Sequence, residues 1–231
     1  MRPLALAAGL LVATPAGAAE VYKDDTATVA LGGDVKSFFL AIFPYDHVLM
    51  PTDPTGQGIL DFRLKFDTTI ADRVTLEAHQ TVTAFAPGQG AFAFGLGGNT
   101  GVAIQAPEAV TLSWVAVDED SFTLRGRVDR LNVAVDLPKA RITFGRQPIS
   151  FGNGMVFAPM DIVAPFSPST IDSEYKPGVD ALRVDVYPSF STSLTAVASY
   201  AGDWRYDGVI VALYGQTTVG VWDIGGFAAL A

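Results

Sequence analysis

The chain contains no cysteine and only two histidines. The absence of cysteine excludes disulfide bonds and thiolate metal sites. Basic residues are also scarce, with 15 Lys and Arg against 24 Asp and Glu and a formal net charge of -9. Because non-specific nucleic-acid binding needs a basic surface, this balance argues against a nucleic-acid partner.

Long hydrophobic runs are missing after the first residues, so no later stretch has the length of a membrane-spanning helix. The one helix-like apolar run extends from Leu4 to Ala13, after Arg2, and small residues follow it at 16–19. This order predicts a secretory signal peptide over residues 1–19, with cleavage near Ala18 or Ala19. A membrane anchor is the alternative, but the run is shorter than the about 20 apolar residues that a spanning helix needs.

Motifs of catalysis and cofactor binding are absent as well. There is no G-x-S-x-G nucleophile motif, and the glycines at 95–101 do not lie between a strand and a helix, as a phosphate-binding loop would. Asp118–Asp120 lack the spacing of an EF-hand, which favours a solvated turn over a cation site. His47 falls in a loop, and a solitary His79 on a strand is better explained as interior filling than as a catalytic base. The sequence therefore predicts no enzyme activity and no catalytic, cofactor-binding or metal-binding residue.

Apolar residues nevertheless make up 49% of the chain, and many of them alternate with polar residues. The segment 60–67 alternates strictly, with apolar Leu60, Phe62, Leu64 and Phe66 between charged Asp61, Arg63, Lys65 and Asp67. Successive side chains of a strand point to opposite faces, so this segment predicts one apolar and one charged face. An apolar face toward lipid and a charged face toward a watery lumen are typical of a transmembrane β-barrel strand.

The connections between the alternating segments differ in length in a regular way. Long connections begin at Pro44, Ala86 and Pro148, and short turns lie at Ile70, Pro138 and Pro188. Outer-membrane barrels have short turns at one end and long loops at the other. The predicted fold is therefore an all-β, antiparallel transmembrane β-barrel of the outer-membrane type.

Residues 20–231 form one predicted domain, in which we count about nine membrane strands. The last two are expected at 206–214 and 218–228, around a turn at Gly215 and Gln216. Bacterial single-chain barrels close with an even number of strands. The count therefore predicts the N-terminal part of a longer barrel, and the alternative is a complete small barrel whose last strand is misread.

A hairpin is expected from 109–117 and 121–127, followed by a separate strand from Arg130 to Leu137. The sequence leaves open whether this hairpin lies in the membrane or above it. At Arg146 the alternation changes phase, which predicts a bulge at Gly145 and Arg146 or the end of the apolar band.

The charged side chains on the alternating segments are candidates for lining a lumen. They are Asp61, Arg63, Lys65, Asp67, Arg73, Glu77, Arg130, Asp136, Arg141, Arg183 and Asp185. In a pore, such charges bias which ions or sugars pass. Alternatively, opposite charges pair across neighbouring strands and fill the lumen. The two interpretations use the same residues and do not exclude each other.

Part of the chain also resembles a known family. The segments concerned are Val128–Leu131, Phe144–Gln147, Ile149–Gly152, Pro159–Asp161 and Glu174–Arg183. In these segments the chain resembles the porin-like and alginate-export-like outer-membrane barrels of Gram-negative bacteria. The resemblance implies a barrel in the outer membrane that conducts or exports a substrate, and it does not identify the substrate.

The predicted function is a channel in the cell outer membrane for passive or facilitated diffusion, or export, of small hydrophilic solutes. Its partners would be outer-membrane lipid and the solute, and the oligomeric state is left open. The alternative is a secreted, soluble all-β module that binds carbohydrate. In the channel Phe62 and Phe66 face lipid, whereas in the module they are packed in a protein core.

Overall fold

The computed structural model describes residues 6–13, 17–43, 55–86, 107–151, 176–202 and 208–230. These residues form one sheet of 12 strands. The strands are β1 (Leu6–Ala13), β2 (Gly17–Lys23), β3 (Ala27–Phe43), β4 (Thr55–Ile70), β5 (Val74–Ala86), β6 (Ser113–Glu119), β7 (Phe122–Leu137), β8 (Ala140–Gln147), β9 (Val179–Ser189), β10 (Thr192–Tyr200), β11 (Val209–Val219) and β12 (Trp222–Leu230). All their pairings are antiparallel, so the prediction of an antiparallel all-β fold is confirmed. Within these ranges, no helix has the length and apolarity to cross a membrane.

The strands follow each other in the sheet in nearly the order of the chain. The path runs β1-β3-β4-β5-β7-β8-β9-β10-β11-β12. Two further strands lie off this path. β2 and β1 pair with different halves of the same side of β3, and β6 and β8 pair with different halves of the same side of β7. The sheet is open in the part of the chain described, because β1 and β12 end the path and are not paired with each other.

Short turns between neighbouring strands gather at one end of the sheet, and the long connections lie at the other, where the two-residue turn at 120–121 between β6 and β7 also lies. Turns of two or three residues at 71–73, 138–139, 190–191 and 220–221 join neighbouring strands. The connections between β3 and β4, between β5 and β6 and between β8 and β9 are long. The length pattern predicted from the sequence is therefore present in the sheet.

Three predicted strand boundaries are wrong. Gly215 and Gln216 lie inside β11, and the turn falls instead at 220–221, where Gly220 adopts a φ of +65°. The turn expected at Pro188 and Ser189 lies at 190–191. The hairpin strand 121–127 and the strand from Arg130 are one continuous strand, β7, and β6 pairs with its first half.

The alternation in β4 separates the apolar from the charged side chains as predicted, and the charged side is the less exposed one. Phe62 is 45% exposed, and Leu60, Leu64 and Phe66 are exposed with it, whereas Arg63 is 6% exposed. We call the side of the sheet that bears Phe62 the exposed face and the side that bears Arg63 the buried face. Large apolar side chains lie on the exposed face of most other strands too, among them Leu131, Phe144, Leu182, Leu194 and Leu213.

The N-terminal residues take part in the sheet of the full chain. β1 pairs with the second half of β3, and β2 pairs with the first half. Cleavage near Ala18 or Ala19 would remove β1 and the first residues of β2. The signal peptide stays a prediction, since pairing in the uncleaved chain does not report on processing.

Candidate functional site

A β-bulge in β7 brings neighbouring charged side chains to the buried face. His79 of β5 pairs with Arg130 and Gln80 pairs with Val128, so Asp129 has no opposite residue on β5. An extra residue of this kind shifts the alternation by one position. As a result Arg127, Asp129 and Arg130 are all buried.

The bulge connects β4 with β7 across the strand between them. Arg63 Nη1 on β4 lies 3.1 Å from Asp129 Oδ2, and Arg130 Nη1 lies 2.8 Å from the same oxygen. The residue opposite Arg63 on β5 is Thr81. This small residue lies between Arg63 on β4 and Asp129 on β7. Buried charges are tolerated when they are paired and hydrogen-bonded, which is the case for these two arginines.

Arg146 fills the place where β7 changes its partner from β6 to β8. Its side chain is almost fully buried, at 1% exposure. Arg146 Nε and Nη2 donate to the carboxylate of Asp180 at 2.8 Å each, Nη1 donates to the carbonyl of Val128 at 3.0 Å, and Nη2 donates to the carbonyl of Val110 at 2.8 Å. The guanidinium therefore supplies hydrogen bonds to two backbone carbonyls at the point where neither β6 nor β8 continues.

The backbone before Arg146 explains the change of phase seen in the sequence. Gly145 has a φ of +112°, a conformation that residues with a Cβ atom rarely adopt. The registers of β8 with β7 and with β9 run through Gly145 and Arg146 without a shift. The predicted bulge at this position is therefore wrong, and the strand continues to Gln147. The end of the apolar band at Arg146 stays a prediction.

Arg63, Arg127, Asp129, Arg130, Arg146 and Asp180 form what we call the buried cluster. Glu108 joins this cluster from the segment before β6. Its Oε1 lies 2.9 Å from Arg127 Nε and 3.1 Å from Arg146 Nη1. The contact with Arg127 is an ion pair without hydrogen-bond alignment. Ala109 N donates to Asp180 at 2.7 Å, which fixes the segment beside β9.

The chain just before β9 also contacts this cluster. Arg127 Nη2 donates to the carbonyl of Gly178 at 2.8 Å, Gly178 N donates to Asp129 Oδ1 at 3.0 Å, and Arg130 Nη2 donates to the carbonyl of Lys176 at 2.6 Å. A Cβ atom at position 178 would lie 2.0 Å from the carbonyl oxygen of Asp129. Only glycine therefore allows this approach.

The buried face of β9–β12 bears an apolar cluster next to the polar residues Asp185, Thr195 and Ser199. Ile149 and Phe151, which follow β8, pack in a cluster with Val179, Ala181, Val197 and Ala212. The ring of Phe151 lies 5.2 Å from that of Phe227 and 6.2 Å from that of Tyr214, centroid to centroid.

The structure places ten of the eleven predicted lumen residues in polar contacts. Four pairs join charged groups: Arg63–Asp129, Lys65–Asp34, Asp136–Arg141 and Arg183–Asp185. Asp67 contacts His79, Asp61 accepts from Thr83, Glu77 accepts from Asn132, and Arg130 pairs with Asp129. Arg73 differs, because it lies exposed in the turn before β5.

No family model, curated protein or solved structure matches the chain.

The family resemblance consequently remains a prediction that rests on the quoted segments. Of these, Pro159–Asp161, Gly152 and the residues Glu174 and Tyr175 lie outside the described residues, as do His47 and the glycines at 95–101. Val128–Leu131 and Phe144–Gln147 are described, and they contain Asp129, Arg130 and Arg146 of the buried cluster.

Sequence reasoning missed five members of the cluster as site residues: Glu108, Arg127, Asp129, Arg146 and Asp180. The phase change at Arg146 was a usable signal, because a charged residue on the apolar side of a strand needs a buried partner. Asp129 gave no such signal, since its bulge depends on pairing with β5. In the described ranges, no group of three or more His, Asp or Glu side chains could hold a metal ion.

Proposed function

We propose that the chain forms a β-barrel channel of the outer membrane, through which small hydrophilic solutes diffuse or are exported. The observation that carries this proposal is the contrast between the two faces of the sheet. Leu60, Phe62, Leu64 and Phe66 are exposed, while Arg63 between them is buried. A protein folded in water buries its apolar side chains, and a barrel in lipid presents them to hydrocarbon.

The size of the exposed apolar surface supports a membrane partner. Soluble monomers rarely expose contiguous apolar patches of more than a few hundred Å². Here the exposed large apolar residues continue from β3 and β4 through β7, β8 and β9 to β11 and β12, whereas only a few apolar side chains are buried in the part of the chain that the structure describes. Hydrocarbon is the medium in which such a surface costs least.

The paired charges on the buried face support a water-accessible lumen with weak selectivity. The ion pairs Lys65–Asp34, Arg141–Asp136 and Arg183–Asp185 each join opposite charges. Such pairs reduce the net field that an ion in the lumen would meet. This arrangement favours passive or facilitated diffusion over strong discrimination by charge, and it joins the two interpretations of these residues that the sequence allowed.

Neighbouring residues of β4 provide a direct test of the faces. The chain has no cysteine, so Leu64→Cys and Lys65→Cys each create a single labelling site. We expect a hydrophilic, membrane-impermeant maleimide to label Lys65→Cys and not Leu64→Cys in lipid vesicles. Fast labelling at position 64 would contradict contact with lipid. Leu64 is 49% exposed in the isolated chain, so only a surrounding medium such as lipid would protect a cysteine there from the maleimide.

Fractionation and conductance test the function itself. We expect the processed protein in the outer-membrane fraction, heat-modifiable on gels, and discrete conductance steps when the purified protein is added to a planar bilayer. Recovery of folded protein from the periplasm without detergent would favour the soluble carbohydrate-binding module instead. A folded barrel that gives no steps would leave no channel function.

A further inference from the structure

The two described flanks of the connection between β8 and β9 leave their strands and lie on the buried face. The upstream flank, residues 148–151, follows β8, and the downstream flank, residues 176–178, precedes β9. Ile149, Phe151 and Lys176 are buried. Hydrogen bonds hold the downstream flank and apolar packing holds the upstream flank, and the two flanks extend in opposite directions across the sheet.

The downstream flank crosses the sheet towards β7. In the sheet β8 lies between β7 and β9. Hydrogen bonds from Arg127 and Arg130 to the carbonyls of residues 178 and 176 therefore require the flank to pass the end of β8 and cover the bulge. Asp129 accepts a hydrogen bond from the flank, donated by Gly178 N at 3.0 Å.

The upstream flank extends in the opposite direction. Phe151 contacts the ring of Phe227 on β12, although β9, β10 and β11 lie between β8 and β12. Val179, Ala181, Val197 and Ala212 have small or medium side chains, and they form the buried surface on which Ile149 and Phe151 rest. The two flanks thus cover the buried face on both sides of β8.

We propose that these flanks form a fixed narrowing of the channel and that Asp129 is the residue that sets its width and charge. This inference rests on the proposed channel function, because the buried face is then the wall of the pore. Asp129 suits the role since the bulge leaves it without a partner on β5, so that its carboxylate accepts Gly178 N and also pairs with Arg63 and Arg130. Removing the charge of that carboxylate leaves two guanidinium charges unbalanced, and displacing Gly178 breaks the contact of the flank with it.

Two substitutions separate the width of the narrowing from its charge. Gly178→Ala displaces the flank without a change of charge, because the added Cβ meets the carbonyl of Asp129. Asp129→Asn removes the negative charge and keeps the size of the side chain. Matched controls are Gly226→Ala, where an added Cβ meets no atom within 4 Å, and Asp120→Asn in the exposed turn between β6 and β7.

Conductance and thiol labelling of the full chain are measured in parallel. Single-channel conductance and reversal potential in a potassium chloride gradient report the width and the charge of the path. Val179→Cys, buried next to Gly178, reports the position of the flank by its reaction with a small hydrophilic maleimide. We expect higher conductance and faster labelling for Gly178→Ala alone, a shift of the reversal potential towards anion preference for Asp129→Asn alone, and values like wild type for both controls.

The outcomes distinguish failure of the narrowing from failure of the channel. If all variants conduct and label like wild type, the narrowing is refuted and the channel function remains. If Val179→Cys labels faster in Gly178→Ala and conductance is unchanged, the flank has moved but does not narrow the path, which also refutes the inference. If no variant conducts, the channel function itself fails. Should Gly178→Ala not fold, Asp129→Asn decides between these results.

Discussion

Replacement of Phe62 by lysine tests which medium the exposed face contacts. Phe62 lies at the middle of β4 and pairs with Val35 and Val82 on the neighbouring strands. On a surface in water, a substitution at such a half-exposed position changes the free energy of unfolding by about 0.5 kcal/mol or less. At the mid-plane of a bilayer, a lysine on the lipid face costs about 2–4 kcal/mol. Since 1.4 kcal/mol is a factor of ten, the folding equilibrium would shift by roughly 30- to 700-fold.

Urea titration of the protein folded in phospholipid vesicles measures this difference, with tryptophan fluorescence as the signal. Leu137→Lys is the matched control, because Leu137 is an exposed residue at the end of β7, beside the turn at 138–139. Near the membrane surface the same substitution costs only about 0–1 kcal/mol. Equal stability of Phe62→Lys and wild type, in protein that stays soluble without detergent, would refute contact of this face with lipid.

Three further outcomes follow from the structure. Arg146→Met should lower the free energy of unfolding by about 3–5 kcal/mol, since it leaves partly buried Asp180 and two carbonyls without their charged donor. Arg141→Met, at a half-exposed ion pair, should cost no more than about 1 kcal/mol in the same urea titration. Gly145→Ala should destabilise the protein by more than about 1 kcal/mol, because an added Cβ would lie 2.3 Å from the carbonyl oxygen of Leu131 at a φ of +112°. Gly226→Ala should not destabilise it, and equal urea midpoints for the two variants would contradict this reasoning. Hydrogen bonds from the Tyr22 hydroxyl and then from Thr26 hold the pKa of Asp24 well below its ordinary value of 3.8. The stabilising contribution of the ionised Asp24 is therefore present above pH 3.8 and is lost as the pH falls through the lowered pKa. An NMR titration should show that the pKa of Asp24 rises in Tyr22→Phe.

Local alternation was sufficient to predict the strands whose pairing is regular. β3, β4 and β5 lie within a few residues of the predicted segments, and the two faces of β4 are separated as expected. This works because the direction of a side chain on an extended strand depends on position alone. The turn at 71–73 could also be predicted from the sequence, because it follows directly on the apolar alternation of β4 and is polar at Asp72 and Arg73.

The features that depend on pairing between strands could not be predicted. Gly215 and Gln216 look like a turn in the sequence, yet β11 pairs with nine residues of β10 and nine residues of β12, and this pairing keeps them extended. The positive φ of the turn is provided by Gly220 instead. The partners of Arg63 and Arg130 depend on the bulge at Asp129, which only the register with β5 reveals. The place of Glu108 depends on how the segment before β6 passes Arg146.

The extra residue at Asp129 changes the parity of β7. In a regular strand, residues that share a side are an even number of positions apart, but Arg127 shares a side with both Arg130 and Asn132. Removal of Asp129 would restore even spacing, because Arg127 and Arg130 would then lie two positions apart and both halves of the strand would keep their faces. Removal of one residue elsewhere in β7 would instead turn the side chains of one half of the strand to the opposite face. A single-codon deletion of Asp129 would accordingly be less damaging to the two faces of the sheet than a single-codon deletion of Ala134, further along the same strand.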